Sequence, residues 1–278
     1  IRLQQFDGIY PRQGDYSLPD AAAQVAQNVK LYAGEVRAWQ KPVLVDPEPT
    51  LVTGAQTVYR LERPSDSAFT WVSFAEDVDI VGSPIADAVD GRIYYTGQAT
   101  PRKTTYALAT SGAQPHPFDY YEWGVPSPLT ALSASSTGGT GGVQTRVYVY
   151  TYVSMFGAVA EESAPSPPVT VDSQVTGATV SITGLGTAGP AGKYNFTKKR
   201  IYRTVGGTVG VDYRLVAEIP ITQATYTDTL NDAQLPGDPI VTLDFAPPPS
   251  DLIGVVAMPG RFFAGFRRNT NELYFTEP

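Results

Sequence analysis

Cysteine is absent from the 278-residue sequence, and histidine occurs only once. Without cysteine the chain has no disulfide, no thiolate metal site and no cysteine nucleophile. The one imidazole belongs to His116, between Pro115 and Pro117. That setting is typical of a loop residue and gives no support to a catalytic triad or a multi-histidine metal site. We therefore expect neither enzyme activity nor a cofactor.

Charge is also scarce, and its balance is acidic. Charged residues make up 17% of the chain and the formal net charge is −7, whereas an average soluble domain has roughly 25% charged residues. The only basic clusters are Lys198–Arg200 and Arg267–Arg268, and so few charges are usually just solvated. A chain with this charge balance is poorly suited to binding the phosphates of a nucleic acid. No apolar run reaches the roughly 18 residues of a membrane-spanning helix.

The residues that are plentiful favour β-strands. The chain has 17 Tyr and 11 Phe, and its 26 Gly and 24 Pro recur as punctuation between short runs. We predict an all-β fold: a propeller-like or multi-sheet body, an inserted β-sandwich and one short N-terminal helix. The helix is expected over residues 21–28, where Asp20 can cap a run that begins with three alanines.

Short alternating runs predict two hairpins in the first half of the chain. They are Val29–Tyr32 with Val36–Trp39, and Thr57–Leu61 with Phe69–Phe74. Further along, Gly91–Gly97 is echoed by Gly260–Gly265, because each has a Gly, an Arg and three largely apolar residues before a small one. The echo suggests that residues 50–110 and 250–278 belong to one body, such as the blades of a propeller-like array.

Proline-rich stretches delimit a middle segment. Pro126 and Pro128 open it, and Ala246–Pro249 close it. Within it, Ser133–Gly142 is rich in Ser, Gly and Thr and is predicted to be a mobile loop. The domains expected are a helix, hairpin and sheet body over 1–125, a sandwich insertion over 126–248, and a return to the body over 249–278.

Strict alternation predicts a strand over Arg146–Val153. Tyr148, Tyr150 and Tyr152 share one of its faces. Two interpretations of this face stay open: an exposed stripe that contacts another subunit or a glycan, or a face that loops or a neighbouring domain cover. The other sandwich strands are expected at Ala178–Thr183, Lys199–Thr204, Tyr213–Ile219 and Thr225–Thr229.

The middle segment resembles a fibronectin type III domain. Tyr150–Gly157 with Glu162–Ser166 is similar to the last hairpin of that family, and Arg200–Thr204 and Thr225–Thr229 resemble its middle strands. The hairpin-like piece comes first here, so a permuted domain and an analogous sandwich both stay open. The resemblance implies a generic spacer or binding fold and says little about function.

Four motifs near the amino terminus resemble the start of tailed-phage virion proteins. They are Phe6–Arg12, Leu18–Asp20, Ala23–Val29 and Leu31–Val36. The resemblance is to tail proteins with a helix followed by a short hairpin, and in particular to the tail nozzle (tail tubular protein B-like) proteins of short-tailed phages.

The nozzle resemblance implies a propeller-like body with inserted sandwiches, assembled as a hexameric ring under the portal and adaptor, with viral DNA passing through its lumen. It implies a place in the virion tail after synthesis in the host cytoplasm. An acidic lumen past which DNA slides is consistent with the net charge of −7. Nozzle proteins usually run much longer than this chain, so either the chain is part of a longer protein or a broader class of tail protein fits it.

Some clusters of acidic residues and some glycine-rich stretches contain the residue types that a catalytic, calcium or phosphate site would need. A glycosidase requires two acids facing each other across a cleft, a calcium loop requires acids at fixed spacing, and a phosphate loop requires Lys-Ser/Thr after its glycines. The spacing criteria are not met, and solvated loops are the usual place for acids. The groups concerned are Glu76 with Asp77 and Asp79, Glu161 with Glu162, Asp228 with Asp232 and Asp238, Gly138–Gly142, and Gly184–Gly192.

The predicted function is structural: a tail component that acts in virion assembly and in the conduit for DNA ejection as a symmetric homo-oligomer. The low charged fraction agrees with extensive burial between chains. The alternative is a receptor- or glycan-binding β-sandwich module of a tail or cell-surface protein. The residues predicted to form interfaces are Asp20, Val25, Asn28, Leu31, Tyr32, Trp39, Tyr148, Tyr150 and Tyr152.

Overall fold

The protein is built almost entirely from strands in several separate sheets, as a computed structural model shows for residues 6–27, 29–32, 35–38, 49–85, 88–205, 212–235 and 238–276. The prediction of an all-β, multi-sheet fold is confirmed, and none of the described sheets closes on itself. Over the same residues, no helix has the length and apolar character needed to cross a membrane. The chain divides into two compact units, residues 1–48 and residues 49–278. The boundaries near 125 and 248 stay predictions.

In the described part of the first unit, the regular elements are short strands and one 3-10 turn. β1 pairs in parallel with β2, and β3 pairs with β4 in the hairpin that the sequence predicts. A single 3-10 turn, Asp15–Ser17, separates β1 from β2. The strands are β1 (Gly8–Ile9), β2 (Ala22–Ala23), β3 (Val29–Tyr32) and β4 (Glu35–Ala38).

The prediction of an N-terminal helix is wrong. The alanine run contributes β2 instead: the Asp7 amide donates to the Ala21 carbonyl at 2.8 Å, and the Tyr10 amide donates to the Ala23 carbonyl at 2.9 Å. Asp20 is exposed and lies in a turn, which the Ala22 amide closes by donating to the Pro19 carbonyl at 2.9 Å. A helix of two turns is marginal in water whatever its alanine content, so pairing with β1 prevails over local propensity.

The second unit begins with a hairpin and a four-stranded antiparallel sheet. The hairpin is the predicted one, and the sheet has the order β10–β9–β8–β7. Between β9 and β10 lies α1 (Tyr106–Ala109), which is the only α-helix among the described residues and is capped by the Thr105 side chain. The strands are β5 (Thr57–Arg63), β6 (Ala68–Phe74), β7 (Asp79–Gly82), β8 (Ile93–Thr96), β9 (Arg102–Thr104) and β10 (Tyr121–Glu122).

A β-sandwich follows. One sheet has the order β11–β15–β18; the other has the order β13–β12–β16–β17, with β14 also paired to β12. A 3-10 turn, Asp232–Gln234, follows β18. The strands are β11 (Ser133–Thr137), β12 (Thr140–Phe156), β13 (Val159–Glu162), β14 (Val169–Thr176), β15 (Thr179–Thr183), β16 (Phe196–Thr204), β17 (Tyr213–Pro220) and β18 (Tyr226–Asp228).

The prediction of a mobile loop over Ser133–Gly142 is wrong. Ser133–Thr137 forms β11 in one sheet, and β12 starts at Thr140 in the other. The Gly138-Gly139 step lies outside both strands, and both glycines have positive φ. A Cβ on Gly139 would lie 2.7 Å from the Gln174 Cβ, so glycine there lets the chain cross between sheets where any side chain would clash.

The tyrosine face of β12 is the core of the sandwich. Tyr148, Tyr150 and Tyr152 are between 0% and 8% exposed and pack with Val180 and Ile182 of the opposite sheet. The interpretation of an exposed tyrosine stripe is therefore wrong. The other face of β12 is also covered, because Val149 packs with Tyr202 and Ile240.

A buried lysine lies beside this core. Lys199 is fully buried, and its ammonium group donates to the carbonyls of Leu185, Gly186 and Gln223 at 3.1, 2.7 and 2.8 Å. These bonds use all three of its protons. Burial nevertheless lowers the pKa of Lys199 from 10.5 to about 8, because a charge in the interior loses its hydration.

We expect Lys199 to make stability depend on pH between about 8 and 10.5. In that window the unfolded chain binds more protons than the folded one, so the free energy of unfolding should rise with pH. Lys199→Met removes this contribution, while the tyrosines titrate in both proteins. Urea unfolding across the window should show wild type gaining stability relative to the variant; a constant difference would contradict the expectation.

The second unit ends in a three-stranded antiparallel sheet with the order β19–β20–β21. Its strands are β19 (Leu252–Met258), β20 (Phe262–Arg267) and β21 (Leu273–Phe275). A bulge between Ile253 and Val256 interrupts the pairing of β19 with β20. β20 contains the predicted echo of β8, and the two strands lie in different sheets of the same unit.

Candidate functional site

The outer face of the C-terminal sheet is apolar and exposed. Val256, Phe266, Leu273 and Phe275 are between 45% and 59% exposed. The register places them together, because Phe266 pairs with Leu273, and Ala264 lies between Val256 and Phe275. Directly opposed residues in an antiparallel sheet point to the same side. These four side chains therefore form one surface, called here the outer face.

The bulge in β19 positions one of the side chains of the outer face, Phe266. Gly254 has a φ of +65°, and a Cβ there would lie 2.2 Å from Cε1 of Phe266. The Phe266 ring therefore lies directly over the backbone at Gly254. The Gly254 amide donates to Asp79 Oδ2 at 2.6 Å, which ties β19 to β7.

The opposite face of the same sheet packs in part against the body. Phe263 and Val255 form a cluster with Tyr94 and Trp123. The ring centroids of Phe263 lie 4.6 Å from Tyr94 and 5.0 Å from Trp123. The sheet is thus anchored to the body on one side, and its other side carries the exposed apolar surface.

β21 has an open edge next to the outer face. Among the described strands it pairs with β20 alone. The Thr276 amide donates to the Phe263 carbonyl at 3.0 Å, and amides in an antiparallel pair alternate in direction. The amides of Leu273 and Phe275 therefore point away from β20. An unpaired edge of this kind is a template for another strand.

A cleft of about 790 Å³ lies between the sandwich and the C-terminal sheet. The rings of Trp123, Phe245, Tyr274 and Phe275 contribute to its lining. Phe245 and Phe275 are exposed. Its size falls within the range of small-molecule sites, and exposed rings suit the apolar faces of a ligand.

Two of the candidate acids, Glu161 and Glu162, lie at this cleft but serve separate ion pairs. Glu162 accepts hydrogen bonds from the Tyr202 hydroxyl at 2.7 Å and from Arg200 Nη1 at 2.5 Å. Glu161 pairs with Lys103, which is 2% exposed. Burial lowers the pKa of Lys103, and the Glu161 carboxylate offsets part of this shift. These contacts have the character of structural ion pairs.

The other candidate acids are dispersed. The Glu76 carboxylate accepts from Gln98 Nε2 at 3.1 Å, while Asp79 bonds Gly254. Asp228 and Asp232 both lie against the buried Arg203, at 3.0 and 2.5 Å, whereas the Asp238 carbonyl accepts from the Leu215 amide. Within the described ranges, no cluster of three or more His, Cys, Asp or Glu side chains is placed to hold a metal ion.

The basic clusters are mostly engaged in ion pairs. Lys198 pairs with Glu218 at 2.5 Å, and Arg200 contacts Glu218 at 3.0 Å. Arg267 contacts Asp251 and Glu272 at 2.9 and 3.0 Å. The guanidinium groups of Arg200 and Arg267 thus have carboxylate partners within the protein, whereas Arg268 is exposed.

The predicted N-terminal interface residues are only partly described. Asp20 is exposed and Val25 is 70% exposed. Leu31 and Tyr32 lie in β3. Asn28 and Trp39 lie outside the described residues. The interface role of this segment stays a prediction, and the outer face is not among the surfaces predicted from the sequence.

The sequence does contain a signal for the outer face. In β20 and β21 the apolar residues do not alternate with polar ones: the runs are Phe262-Phe263-Ala264-Gly265-Phe266 and Leu273-Tyr274-Phe275. A sheet with one solvated face usually alternates apolar and polar positions. Apolar residues at successive positions thus indicate a strand with apolar side chains on both faces of the sheet, so that both faces are expected to be buried.

In comparisons with known proteins, no protein-family model and no curated protein matches the chain.

Proposed function

We propose that this chain is a structural component of a phage tail, which assembles as a ring of identical copies and forms part of the conduit for DNA ejection. The observation that carries the proposal is the outer face of the C-terminal sheet with the open edge of β21 beside it. A contiguous exposed apolar surface on a folded protein marks an interaction site. The N-terminal resemblance to phage tail nozzle proteins supports the setting in the tail.

A second copy of the chain is the partner we propose for the outer face. Heterologous contacts between identical subunits generate a closed ring when the rotation between neighbours closes, and the nozzle resemblance favours a hexamer next to the portal adaptor. The low charged fraction of 17% suits a protein that buries surface against its neighbours. Lys198, Arg200 and Arg267 are paired with carboxylates of the chain itself. Their charges are therefore partly neutralised, which agrees with a conduit through which DNA slides without sequence-specific binding.

Sedimentation velocity of wild type and of a Leu273→Asp/Phe275→Asp variant tests this proposal. Both side chains are more than half exposed, so the variant is expected to fold. Two carboxylates on the outer face should prevent association by desolvation cost, leaving a monomer where wild type forms a ring. Val143→Asp is the matched control, because Val143 is 65% exposed and lies in the sandwich. A monomeric wild type, or a double variant that assembles normally, would refute the proposal.

A second candidate function is recognition of a glycan receptor in the cleft. The specific observation is the group of rings at Phe245, Tyr274 and Phe275 beside the Asp244 carboxylate, since sugars bind by stacking and by hydrogen bonds to acids. A glycan array should then show binding that Phe245→Ala abolishes. Phe118→Ala, at another exposed phenylalanine, should leave it intact. Equal binding by both variants would exclude the cleft.

A further inference from the structure

The cleft between the sandwich and the C-terminal sheet carries charge that the proposed assembly does not use. Its described lining contains three carboxylates, Glu161, Glu162 and Asp244, and one cation, Arg200. Glu161 pairs with the buried Lys103. A cleft with one sign of charge and low-dielectric walls attracts ligands of the opposite sign. The charge balance of the lining thus favours a positively charged ligand.

The unpaired charge of the lining is located at Asp244. Arg200 is already engaged, because its Nη1 donates to Glu162 Oε2 at 2.5 Å and its Nε donates to Glu218 Oε2 at 3.0 Å. The Asp244 carboxylate, by contrast, is exposed and makes no hydrogen bond or ion pair with the other described residues. It is therefore available to a ligand without loss of a contact within the protein.

A close backbone contact places Asp244 and Phe245 in the same wall as Trp123. Gly124 has a φ of +85°, and a Cβ there would lie 2.7 Å from the Pro247 Cα. Glycine alone permits this approach, because any side chain would collide with the proline. The contact fixes the segment that ends in Pro247 against the segment of Trp123, and both segments line the cleft.

The C-terminal sheet supplies a further ring from the face opposite to the outer face. Tyr274 is paired with Gly265, and Phe263 lies two residues from Gly265 on the same strand. Opposed residues and residues two apart point to one side of a sheet, so Tyr274 and Phe263 share this face. The ring centroids of Phe263 and Trp123 are 5.0 Å apart. Tyr274 is 37% exposed and lines the cleft beside them.

Aromatic rings beside a free carboxylate are suited to an organic cation. The face of an aromatic ring attracts an ammonium group that lies within about 6 Å of its centre, and tryptophan does so most strongly. A carboxylate accepts strong, charge-assisted hydrogen bonds from the same group. A sugar ring adds an apolar C–H face that can lie against an aromatic side chain. An amino sugar combines these features in one ligand.

We propose that the cleft binds an amino sugar with a free, protonated amine, whose ammonium group donates to the Asp244 carboxylate beside the rings of Trp123, Phe245 and Tyr274. The inference rests on the glycan candidate described above and narrows its ligand to one class. A neutral sugar contacts the same rings but brings no positive charge to Asp244, and an acidic sugar is repelled by it.

Isothermal titration calorimetry of the full chain with two matched oligosaccharides tests the proposal. One is a linear glucosamine oligomer; the other is the N-acetylglucosamine oligomer of the same length, which lacks the positive charges. At a pH below the pKa of the sugar amine, we expect the glucosamine oligomer to bind at least about tenfold more tightly. Equal or tighter binding of the acetylated oligomer would overturn this inference and leave the glycan candidate standing. Binding of neither oligomer would exclude both.

Two substitutions separate the site from the overall acidity of the chain. Asp244→Asn removes one charge at nearly constant size and breaks no contact among the described residues, so stability should be unchanged, while affinity for the glucosamine oligomer should fall about tenfold. Asp172→Asn, at an exposed acid outside the cleft, changes the net charge equally and should leave affinity unchanged. An equal loss in both variants would show attraction by net charge alone and would overturn the site.

Discussion

Replacing Asp228 with asparagine is expected to lower the free energy of unfolding by about 3 kcal/mol, because the buried charge of Arg203 then keeps only the partly exposed Asp232 as a carboxylate partner. Both side chains are completely buried, with Nε of Arg203 3.0 Å from Asp228 Oδ2. The same carboxylate accepts from the Tyr148 hydroxyl at 2.7 Å and from the Leu230 amide at 2.9 Å. One substitution thus weakens an ion pair and two hydrogen bonds inside the sandwich.

Equilibrium unfolding in guanidinium chloride measures this effect. Asp172→Asn is the matched control, because Asp172 is exposed and bonds only the Thr145 hydroxyl among the contacts described; we expect it to cost less than about 0.5 kcal/mol. Combining Asp228→Asn with Arg203→Met should cost less than the sum of the two single changes. A cost of Asp228→Asn no larger than the control would show that the ion pair contributes nothing.

Phe156→Ala is expected to cost a similar amount, about 3–5 kcal/mol. Phe156 ends β12 and is fully buried, and its ring lies 6.5 Å from Tyr94 and 6.0 Å from Tyr121. Arg92 and Lys103 lie over the same ring at 4.6 and 4.7 Å. Truncation leaves a cavity where the sandwich joins the sheet of β7–β10, and it removes the ring that the two cations contact.

The shape of the thermal unfolding transition, measured by calorimetry, distinguishes a contact between the sandwich and the sheet of β7–β10 from an ordinary core position. If Phe156 couples the sandwich to the preceding sheet, its loss should also broaden or split the unfolding transition of wild type, since coupled parts then unfold separately. Phe69→Ala is the control, because Phe69 is 41% exposed and should cost less than about 1 kcal/mol. A Phe156→Ala protein as stable as the control would exclude the coupling.

Elements whose signal is local could be predicted from the sequence. The hairpins β3–β4 and β5–β6 and the tyrosine-rich β12 are confirmed because alternation over four or more residues defines a strand by itself. The predicted helix after Asp20 is wrong because it depended on propensity, and pairing with residues about 14 positions away outweighs a two-turn helix. The serine-rich β11 was missed because its partner β15 lies over 40 residues downstream in sequence.

The candidate sites depend on packing that a single sequence does not encode locally. Alternation identifies the two faces of β12, but not that the face of Tyr148 meets Val180 across the sandwich. The outer face follows from the register of β20 with β19 and β21. His116, Tyr95 and Arg102 line one cavity because a loop, β8 and β9 converge there. Composition alone distinguishes none of these arrangements.

Amide hydrogen exchange at β21, followed as a function of protein concentration, tests most directly whether the outer face joins copies of this chain. The amides of Leu273 and Phe275 point away from β20, so within one copy they should exchange rapidly. We predict that their exchange slows by at least tenfold as assembly proceeds, while amides of the exposed Gly141–Gly142 step stay fast. Exchange at Leu273 and Phe275 that is independent of concentration in an assembled sample would contradict the account.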